Sequence, residues 1–242
     1  MIIPIYITSF FRKKFTEKTV NFIHERTAPG SFSLHVYDNG SDKDTQQFLV
    51  SLLDGKKIDS LTLDSRNTGC LYNKSIFHVM TEVTSPYYVV TDNDVFPPKL
   101  SPDWLSQMIG IMEAHKELGM LVPQIPPQNL QMPEEVLDDV VYCKAVGNTL
   151  KIVRREAFCL TDDFSKIGAF GDDWLISQAV KNKGFKVAFC RNIFCLHAGQ
   201  CENWGYDPIE IAHDPRKNSY GAPYQYALTN EETYEPIKDL RI

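Results

Sequence analysis

The sequence lacks any long apolar run, and its six cysteines include no closely spaced pair. None of the apolar runs approaches the ~18 residues that a membrane-spanning helix requires. The N-terminus also lacks the basic segment and the apolar core of a secretory signal peptide. We therefore expect a cytoplasmic protein with no transmembrane segment, and peripheral contact with a membrane stays an open alternative.

Cysteine spacing and charge exclude two classes of function. Without a CxxC pair, a zinc finger or zinc ribbon has no support, and cysteines in apolar segments, such as Cys190 and Cys195, are expected to be buried free thiols. Acidic residues outnumber basic ones, 31 to 25, which gives a net charge of -6 at pH 7. Because an acidic surface repels phosphate groups, no nucleic-acid partner is expected.

Short β-branched segments alternate with amphipathic stretches in the first half of the chain. This pattern predicts strands at residues 2–8, 34–37, 61–63 and 87–91, and helices at residues 15–26, 45–53 and 70–80. The alternation is typical of an α/β protein with a mixed, mostly parallel central sheet flanked by helices. In such sheets ligands bind beyond the carboxyl ends of the strands, and polar residues follow three of these strands.

The second half is less regular. It predicts helices at residues 103–115 and 172–183, a strand at residues 150–153, and extended segments at residues 186–189 and 193–196. Four prolines and an acidic run indicate a surface excursion at residues 123–139. From about residue 203 aromatic, proline and polar residues mix without a period, which indicates a tail and not a second domain.

Asp92 and Asp94 come directly after the apolar residues 87–90. Side chains alternate along a strand, so both carboxylates can point the same way at its end. Two carboxylates make an oxygen-rich site for a hard divalent cation, which would bridge the phosphates of a nucleoside diphosphate. The alternative is a turn that the two aspartates cap.

Asp172 and Asp173 open a predicted helix behind a glycine. Acidic residues at a helix start favour the macrodipole, so simple capping is the alternative interpretation. Adjacent residues on a helix do not share a face, however, so one carboxylate can cap while the other projects into a cleft. We assign Asp173 as a general base and Asp172 as the residue that orients it.

Three further segments suggest ligand contacts. His197 ends an extended segment, and an imidazole beside two carboxylates favours Mn²⁺ over Ca²⁺. Asp38 and Arg66 follow the second and third strands and could contact a base, a ribose or a phosphate. For His197 a structural role, and for Asp38 an Asx turn, are the simpler alternatives when each residue is considered by itself.

Taken together, these segments resemble glycosyltransferase family 2 in their order along the chain, from about residue 3 to residue 199. The resemblance implies that Thr8 and Phe10 line the nucleobase, Phe10 by stacking. Asp38 matches the aspartate of the family's nucleotide-binding turn. Arg66 and Asn67 look like the segment that closes over the base.

The remaining motifs extend this resemblance to the chemistry. Residues 92–94 match the family's DxD motif, which assigns Asp92 and Asn93 to the nucleotide sugar and Asp94, with Asp92, to the metal. His197 matches a third metal ligand of many GT-A enzymes. Residues 172–174 resemble the acidic catalytic motif, although the family more often has Glu-Asp, which leaves open which carboxylate is the base. Phe10 stands where the family commonly has tyrosine or asparagine.

The resemblance implies a GT-A fold and an inverting, metal-dependent glycosyltransferase that uses Mn²⁺ or Mg²⁺. The expected partners are a nucleotide-sugar donor, with UDP favoured, and a glycan or other hydroxyl-bearing acceptor, in polysaccharide biosynthesis. Residues 1–200 would form the GT-A domain, with the donor-binding half at about 1–98 and the acceptor and catalytic half at about 99–200. Residues 201–242 would be a C-terminal tail that packs on or near the acceptor site.

Two other functions remain as alternatives. A nucleotidyltransferase also joins a strand-end aspartate pair to a nucleotide, but it usually has a glycine-rich basic loop after its first strand. Residues 10–15 are basic here and contain no glycine. A binding module of the same fold that has lost turnover is the non-enzymatic alternative, against which the intact Asp94 and Asp173 argue.

Overall fold

The computed structural model describes residues 1–65, 83–125, 133–158, 172–197 and 238–241. Its helices are α1 (Lys13–Arg26), α2 (Lys43–Asp54), α3 (Trp104–Ala114) and α4 (Asp172–Asn182). Its strands are β1 (Ile3–Ser9), β2 (Phe32–Asp38), β3 (Ser60–Leu63), β4 (Tyr87–Asp92), β5 (Val95–Phe96), β6 (Leu118–Gln124), β7 (Pro133–Val136), β8 (Val140–Cys143), β9 (Lys151–Arg154), β10 (Lys186–Phe194), β11 (Leu196–His197) and β12 (Lys238–Arg241).

Ten of these strands form one sheet, in the order β12-β3-β2-β1-β4-β9-β6-β10-β8-β7. Strands β3, β2, β1 and β4 are parallel neighbours, and β6 and β10 form a second parallel pair. Strand β9 lies between β4 and β6 and is antiparallel to both. Strands β5 and β11 form a separate two-stranded ladder. The mixed sheet with one predominant direction is the α/β architecture that the sequence predicts.

The two faces of the sheet carry different apolar layers. On β1, Ile5 and Ile7 belong to the layer that packs with α1, α2 and α3, whereas Tyr6 between them belongs to the layer that packs with α4. This alternation follows from the period of two along a strand. Side chains such as Val20 of α1 and Val180 of α4 are fully buried on opposite sides of the sheet.

The helices begin in two ways. Asp42 caps α2 by accepting a hydrogen bond from Thr45 N at 2.8 Å, and Asp103 caps α3 by accepting from Leu105 N at 3.0 Å. Helix α1 has no side-chain cap, and the residue before it, Arg12, has left-handed backbone angles. That unusual entry into α1 lies beside the candidate site.

The predicted elements of the first half are found close to their expected positions. The helix predicted at residues 70–80 lies outside the described residues. In the second half, the two extended segments are one strand, β10, up to Phe194, and β11 begins two residues later. Strands β6, β8 and β12 were not predicted, and β7, which lies within the predicted surface excursion, is exposed along its whole length.

Two expectations from composition can be compared with the structure. Cys143, Cys190 and Cys195 are buried and not disulfide-bonded, as expected, and burial raises the pKa of the Cys143 and Cys195 thiols to about 12. The other three cysteines lie outside the described residues. None of the described helices is long and apolar enough to cross a membrane.

Candidate active site

Asp92, Asp94 and His197 meet at the carboxyl end of β4. Asp92 is the last residue of β4, and Asp94 lies in the turn that leads into β5. The pairing of β5 with β11 places His197 opposite Val95. His197 therefore lies next to this turn, although it is about a hundred residues further along the chain. His197 Nε2 lies 3.3 Å from Asp94 Oδ1. The structure therefore brings together the three residues predicted to bind metal.

Their geometry fits a small divalent cation. Each of the three residues has one potential metal-ligand atom that lies within 4.8 Å of those of the other two. The Nδ1 atom of His197 is buried and has no hydrogen-bond partner within the described part of the chain. Two carboxylates and one imidazole form the mixed oxygen and nitrogen set that suits Mn²⁺.

The two aspartates differ in their electrostatic surroundings. Burial, and then the neighbouring Asp94 carboxylate, raise the pKa of Asp92 to about 7. Burial also acts to raise the pKa of Asp94, but the hydrogen bond with His197 and the Arg12 guanidinium outweigh it, so this pKa lies below its usual value. Burial acts to lower the pKa of His197, and the hydrogen bond to Asp94 outweighs it and raises this pKa.

Arg12 is a residue of this site that the sequence analysis did not assign. Its guanidinium donates from Nη1 to Asp94 Oδ2 and forms an ion pair with it, and both side chains are almost completely buried. The only sign of it in the sequence is a basic run, residues 12–14, directly after the first strand. Basic residues in a loop are usually solvated, so the pattern alone did not indicate a buried cation.

Asp173 is the second residue of α4. Its Oδ1 lies 3.6 Å from the ammonium of Lys151 in β9, whose side chain is 3% exposed. Burial raises the pKa of Asp173, and the Lys151 ammonium opposes this rise. The charge of Asp173 also acts, less than burial and Asp94 do, to raise the pKa of Asp92. Lys151 is a second basic residue that the sequence analysis did not assign.

The loop between β8 and β9 connects the two acidic groups. Asn148 O accepts a hydrogen bond from Asp92 N at 3.1 Å. On the same loop, a Cβ added to Gly147 would lie 3.6 Å from Asp173 Oδ2. Asp172 also belongs to α4, but its side chain lies outside the described part of the structure.

Three of the residues predicted to bind the nucleotide, Thr8, Phe10 and Asp38, lie on β1 and β2 or directly after β1. Asp38 at the end of β2 is completely buried, and its carboxylate accepts from Ser41 Oγ at 2.5 Å, Ser41 N at 3.0 Å and Gln46 Nε2 at 3.0 Å. Burial raises its pKa to about 6, against these hydrogen bonds. Thr8 on β1 is half-buried and lies in register with both Tyr37 and Asp92.

Three other predicted donor contacts have different outcomes. Phe10 is half-buried, with its ring edge-on to Phe11 at a centroid distance of 4.7 Å. The amide of Asn93 is engaged within the protein, where Nδ2 donates to Phe11 O at 3.1 Å and to Thr16 Oγ1 at 2.8 Å. Arg66 and Asn67 lie outside the described residues.

No protein-family model matches the sequence, and no curated protein matches it either. Several solved structures have a similar fold. GalNAc-T7 with UDP, GalNAc and Mn²⁺ is 13% identical, with a TM-score of 0.65 over 96% of this chain and 54% of that one. The mannosyltransferase PcManGT from Pyrobaculum calidifontis, in complex with GDP-Man and Mn²⁺, is 14% identical, with a TM-score of 0.62 over 94% of this chain and 64% of that one.

S. aureus TarS 1-349 in complex with UDP-GlcNAc is also similar, at 14% identity and a TM-score of 0.57 over 81% of this chain and 58% of that one. The chain spans less than two thirds of the length of each of these three proteins. Identities this low carry information about architecture only. The chain has the GT-A fold that these glycosyltransferases share, as the sequence predicted.

Proposed function

We propose that the protein is a metal-dependent glycosyltransferase that moves a sugar from a nucleotide-sugar donor to an acceptor hydroxyl. The observation that carries the proposal is the convergence of Asp92, Asp94 and His197 at the carboxyl end of β4, with Asp173 beside the β8–β9 loop that also bonds to Asp92. Ligands of open α/β sheets bind at this edge. The fold is one in which other proteins hold UDP or GDP-Man together with Mn²⁺.

Asp92, Asp94 and His197 would hold Mn²⁺ or Mg²⁺, which supplies positive charge to the diphosphate when it is bound. The low pKa of Asp94 keeps this carboxylate ionised and therefore able to act as a ligand. Arg12 and Lys151 add two buried positive charges to a cleft that otherwise contains three carboxylates. With a divalent cation bound, the four positive charges would exceed the three negative ones by one, which favours an anionic diphosphate over a neutral ligand.

Asp173 is the general base in this proposal. The acceptor oxygen forms a bond to the anomeric carbon while the bond from that carbon to the diphosphate oxygen breaks, and the acceptor proton passes to Asp173. The electron pair of the broken bond leaves with the nucleoside diphosphate. Because attack and departure occur on opposite faces of the sugar, a single displacement of this kind inverts the anomeric centre. The raised pKa of Asp173 makes its carboxylate a stronger base than an ordinary aspartate.

Asp172 would orient this base, and the donor nucleotide would lie along β1 and β2. Thr8 and Phe10 would line the base and Asp38 would accept hydrogen bonds from it, with Arg66 and Asn67 closing over it as in the family the sequence resembles. Asn93 would act by fixing the loop that holds Phe11, since its amide is engaged there. UDP is the favoured nucleotide, and the acceptor would belong to polysaccharide biosynthesis.

Melting curves with UDP, GDP, CMP and ADP, each with and without Mn²⁺, test the donor site. A ligand at ~100 times its dissociation constant stabilises the native state by about 2.7 kcal/mol, which is a clear shift. We expect one diphosphate to stabilise the protein only when Mn²⁺ is present, and Asp94→Asn to abolish this shift. Asp44→Asn removes an exposed carboxylate that pairs with Lys13 on the surface and serves as the matched control.

The outcomes separate the remaining alternatives. A shift that needs Mn²⁺ and Asp94 supports the proposal and names the donor class. A shift from a nucleotide that is independent of metal and of Asp94 favours the binding-module alternative. Failure of every nucleotide to stabilise the protein in the presence of Mn²⁺ contradicts the proposed function.

A further inference from the structure

The loop between β1 and α1 has an unfavourable backbone. Phe11 and Arg12 have φ angles of 51° and 57°, so two consecutive residues that carry a Cβ are left-handed. Such conformations are disfavoured for L-residues other than glycine and persist where the surrounding structure imposes them.

Hydrogen bonds from three directions impose this conformation. Phe11 N donates to Ser41 Oγ at 2.8 Å, and Phe11 O accepts from Asn93 Nδ2 at 3.1 Å. Arg12 O accepts from Phe15 N at 2.9 Å and from Thr16 N at 3.0 Å, which starts α1. The loop is therefore fixed to the turn after β2, to the turn after β4 and to α1.

This backbone conformation determines where the guanidinium of Arg12 lies. Arg12 lies against Asp94 Oδ2, with its side chain 7% exposed, while Asp94 Oδ1 faces His197. The carboxylate at the centre of the candidate metal site is thus already neutralised by a cation of the protein. A divalent ion bound to Asp94 would stand within a few ångströms of that guanidinium, where like charges repel strongly.

We propose that Arg12 is a resident cation that competes with the metal for Asp94 and that releases it when a diphosphate arrives. This inference rests on the proposed function, because it takes the metal and diphosphate site as given. A guanidinium binds phosphate oxygens in a bidentate manner, so the diphosphate offers Arg12 a new anionic partner. Metal and diphosphate then bind cooperatively, each weakly alone and tightly together.

Cooperativity of this kind is reciprocal, so it can be measured from the metal alone. Mn²⁺ binding is followed by the electron paramagnetic resonance signal of the free ion, without nucleotide and with UDP or GDP. In the wild type we expect the diphosphate to tighten Mn²⁺ binding by about tenfold or more, within the usual range of coupling between sites. In Arg12→Gln we expect Mn²⁺ alone to bind about tenfold tighter than in the wild type, and the effect of the diphosphate to shrink.

Two further variants control for charge and stability. Arg26→Gln removes a positive charge at the other end of α1, where the guanidinium donates to Pro97 O, and should leave Mn²⁺ binding unchanged. Arg12→Lys keeps the charge and should retain the weak binding of metal alone. A wild type that binds Mn²⁺ equally well with and without diphosphate overturns the inference without any variant.

Failure of this inference is distinguishable from failure of the proposed function. If the wild type binds Mn²⁺ tightly only with a diphosphate and Arg12→Gln behaves identically, Arg12 is not the competing cation and the function stands. If neither the wild type nor any variant binds Mn²⁺ under any of these conditions, the proposed function fails together with the inference.

Discussion

Asp94 and Asp173 each face a buried basic side chain, yet their pKa values move in opposite directions. At Asp94, burial is outweighed by the hydrogen bond with His197 and by the Arg12 guanidinium. At Asp173, burial prevails over an ammonium whose nitrogen lies 3.6 Å from the carboxylate. We attribute the difference to the distance of the cation, because Arg12 donates directly to Asp94, whereas the Lys151 ammonium lies 3.6 Å from Asp173, whose side chain is 40% exposed.

Asp38 completes this comparison. It is as deeply buried as Asp94, and its partners are the hydroxyl and N–H of Ser41 and the amide of Gln46. Its pKa is raised to about 6 in spite of three hydrogen bonds. Neutral donors therefore compensate burial less well than the cations around Asp94 do. In the proposed function the two regions have different tasks, the Asp94 side binding a cation and the Asp173 side taking up a proton.

The largest effect is expected from Asp173→Asn. Loss of a general base typically lowers turnover by about 10²–10⁴-fold. The measurement is the release of nucleoside diphosphate from a panel of UDP- and GDP-sugars, with candidate acceptors or with water as the hydroxyl. The melting shift with nucleotide and Mn²⁺ should survive in Asp173→Asn and disappear in Asp94→Asn. Unchanged release in Asp173→Asn would remove its assignment as the base.

The next largest effect concerns stability. The pKa of Asp38 is about 6 in the folded protein against 3.8 for an ordinary aspartate. The folded state therefore binds more protons between these values, and its stability falls as pH rises through this window. Two pH units at about 1.4 kcal/mol each give about 3 kcal/mol.

Asp38→Asn removes this titration, so the free energy of unfolding of the wild type should fall relative to the variant by about 2 kcal/mol from pH 4 to pH 7. Urea unfolding at four pH values measures the difference, and the exposed Asp44→Asn serves as the control. A difference between wild type and Asp38→Asn that does not change with pH would show that Asp38 is not protonated in the folded state.

The smallest expected effect concerns the influence of Lys151 on the pKa of Asp173. Lys151→Met removes the ammonium that opposes the raised pKa of Asp173 and keeps a similar buried volume. The acidic limb of the pH–rate profile should then move to higher pH, while the plateau above it is retained. Below that limb the rate falls about tenfold per pH unit, as expected for one essential ionisation.

Lys151→Arg keeps the charge and should restore the limb of the wild type. If Lys151→Met instead lowers the plateau at every pH, Lys151 contributes to the site by a route other than the charge of Asp173.

Sequence reasoning found the acids of this site because they follow strands that are recognisable locally. Asp92 and Asp94 come after a buried strand, and Asp173 opens a helix, so local patterns place all three at the edge of the sheet. It missed Arg12 and Lys151, because their positions depend on distant parts of the chain. Arg12 requires a left-handed backbone held by Ser41 and Asn93, and Lys151 requires β9 to lie antiparallel to β4.

The strand predicted at residues 150–153 is found as β9, but its complete burial could not be predicted, for a similar reason. Strand β9 is completely buried, although it begins with Lys151 and ends with Arg154. Charged residues at both ends are typical of an exposed segment, so the sequence pattern did not indicate burial. Arg154 is accommodated because its guanidinium donates to Leu118 O at 2.9 Å, Met112 O at 2.6 Å and Tyr87 OH at 2.8 Å. These acceptors come from neighbouring elements, which a local pattern does not show.

Strand β7 is an edge strand of the large sheet, and its composition affects how readily the protein aggregates at high concentration. Its first residue is Pro133, which has no N–H to offer, and it carries Glu134 and Glu135, paired with Lys181 and Lys186 at 2.9 and 3.2 Å. A border strand with free backbone groups invites strands from other molecules to pair with it. Proline and charge at this border oppose such growth, so this end of the sheet is protected against edge-to-edge aggregation.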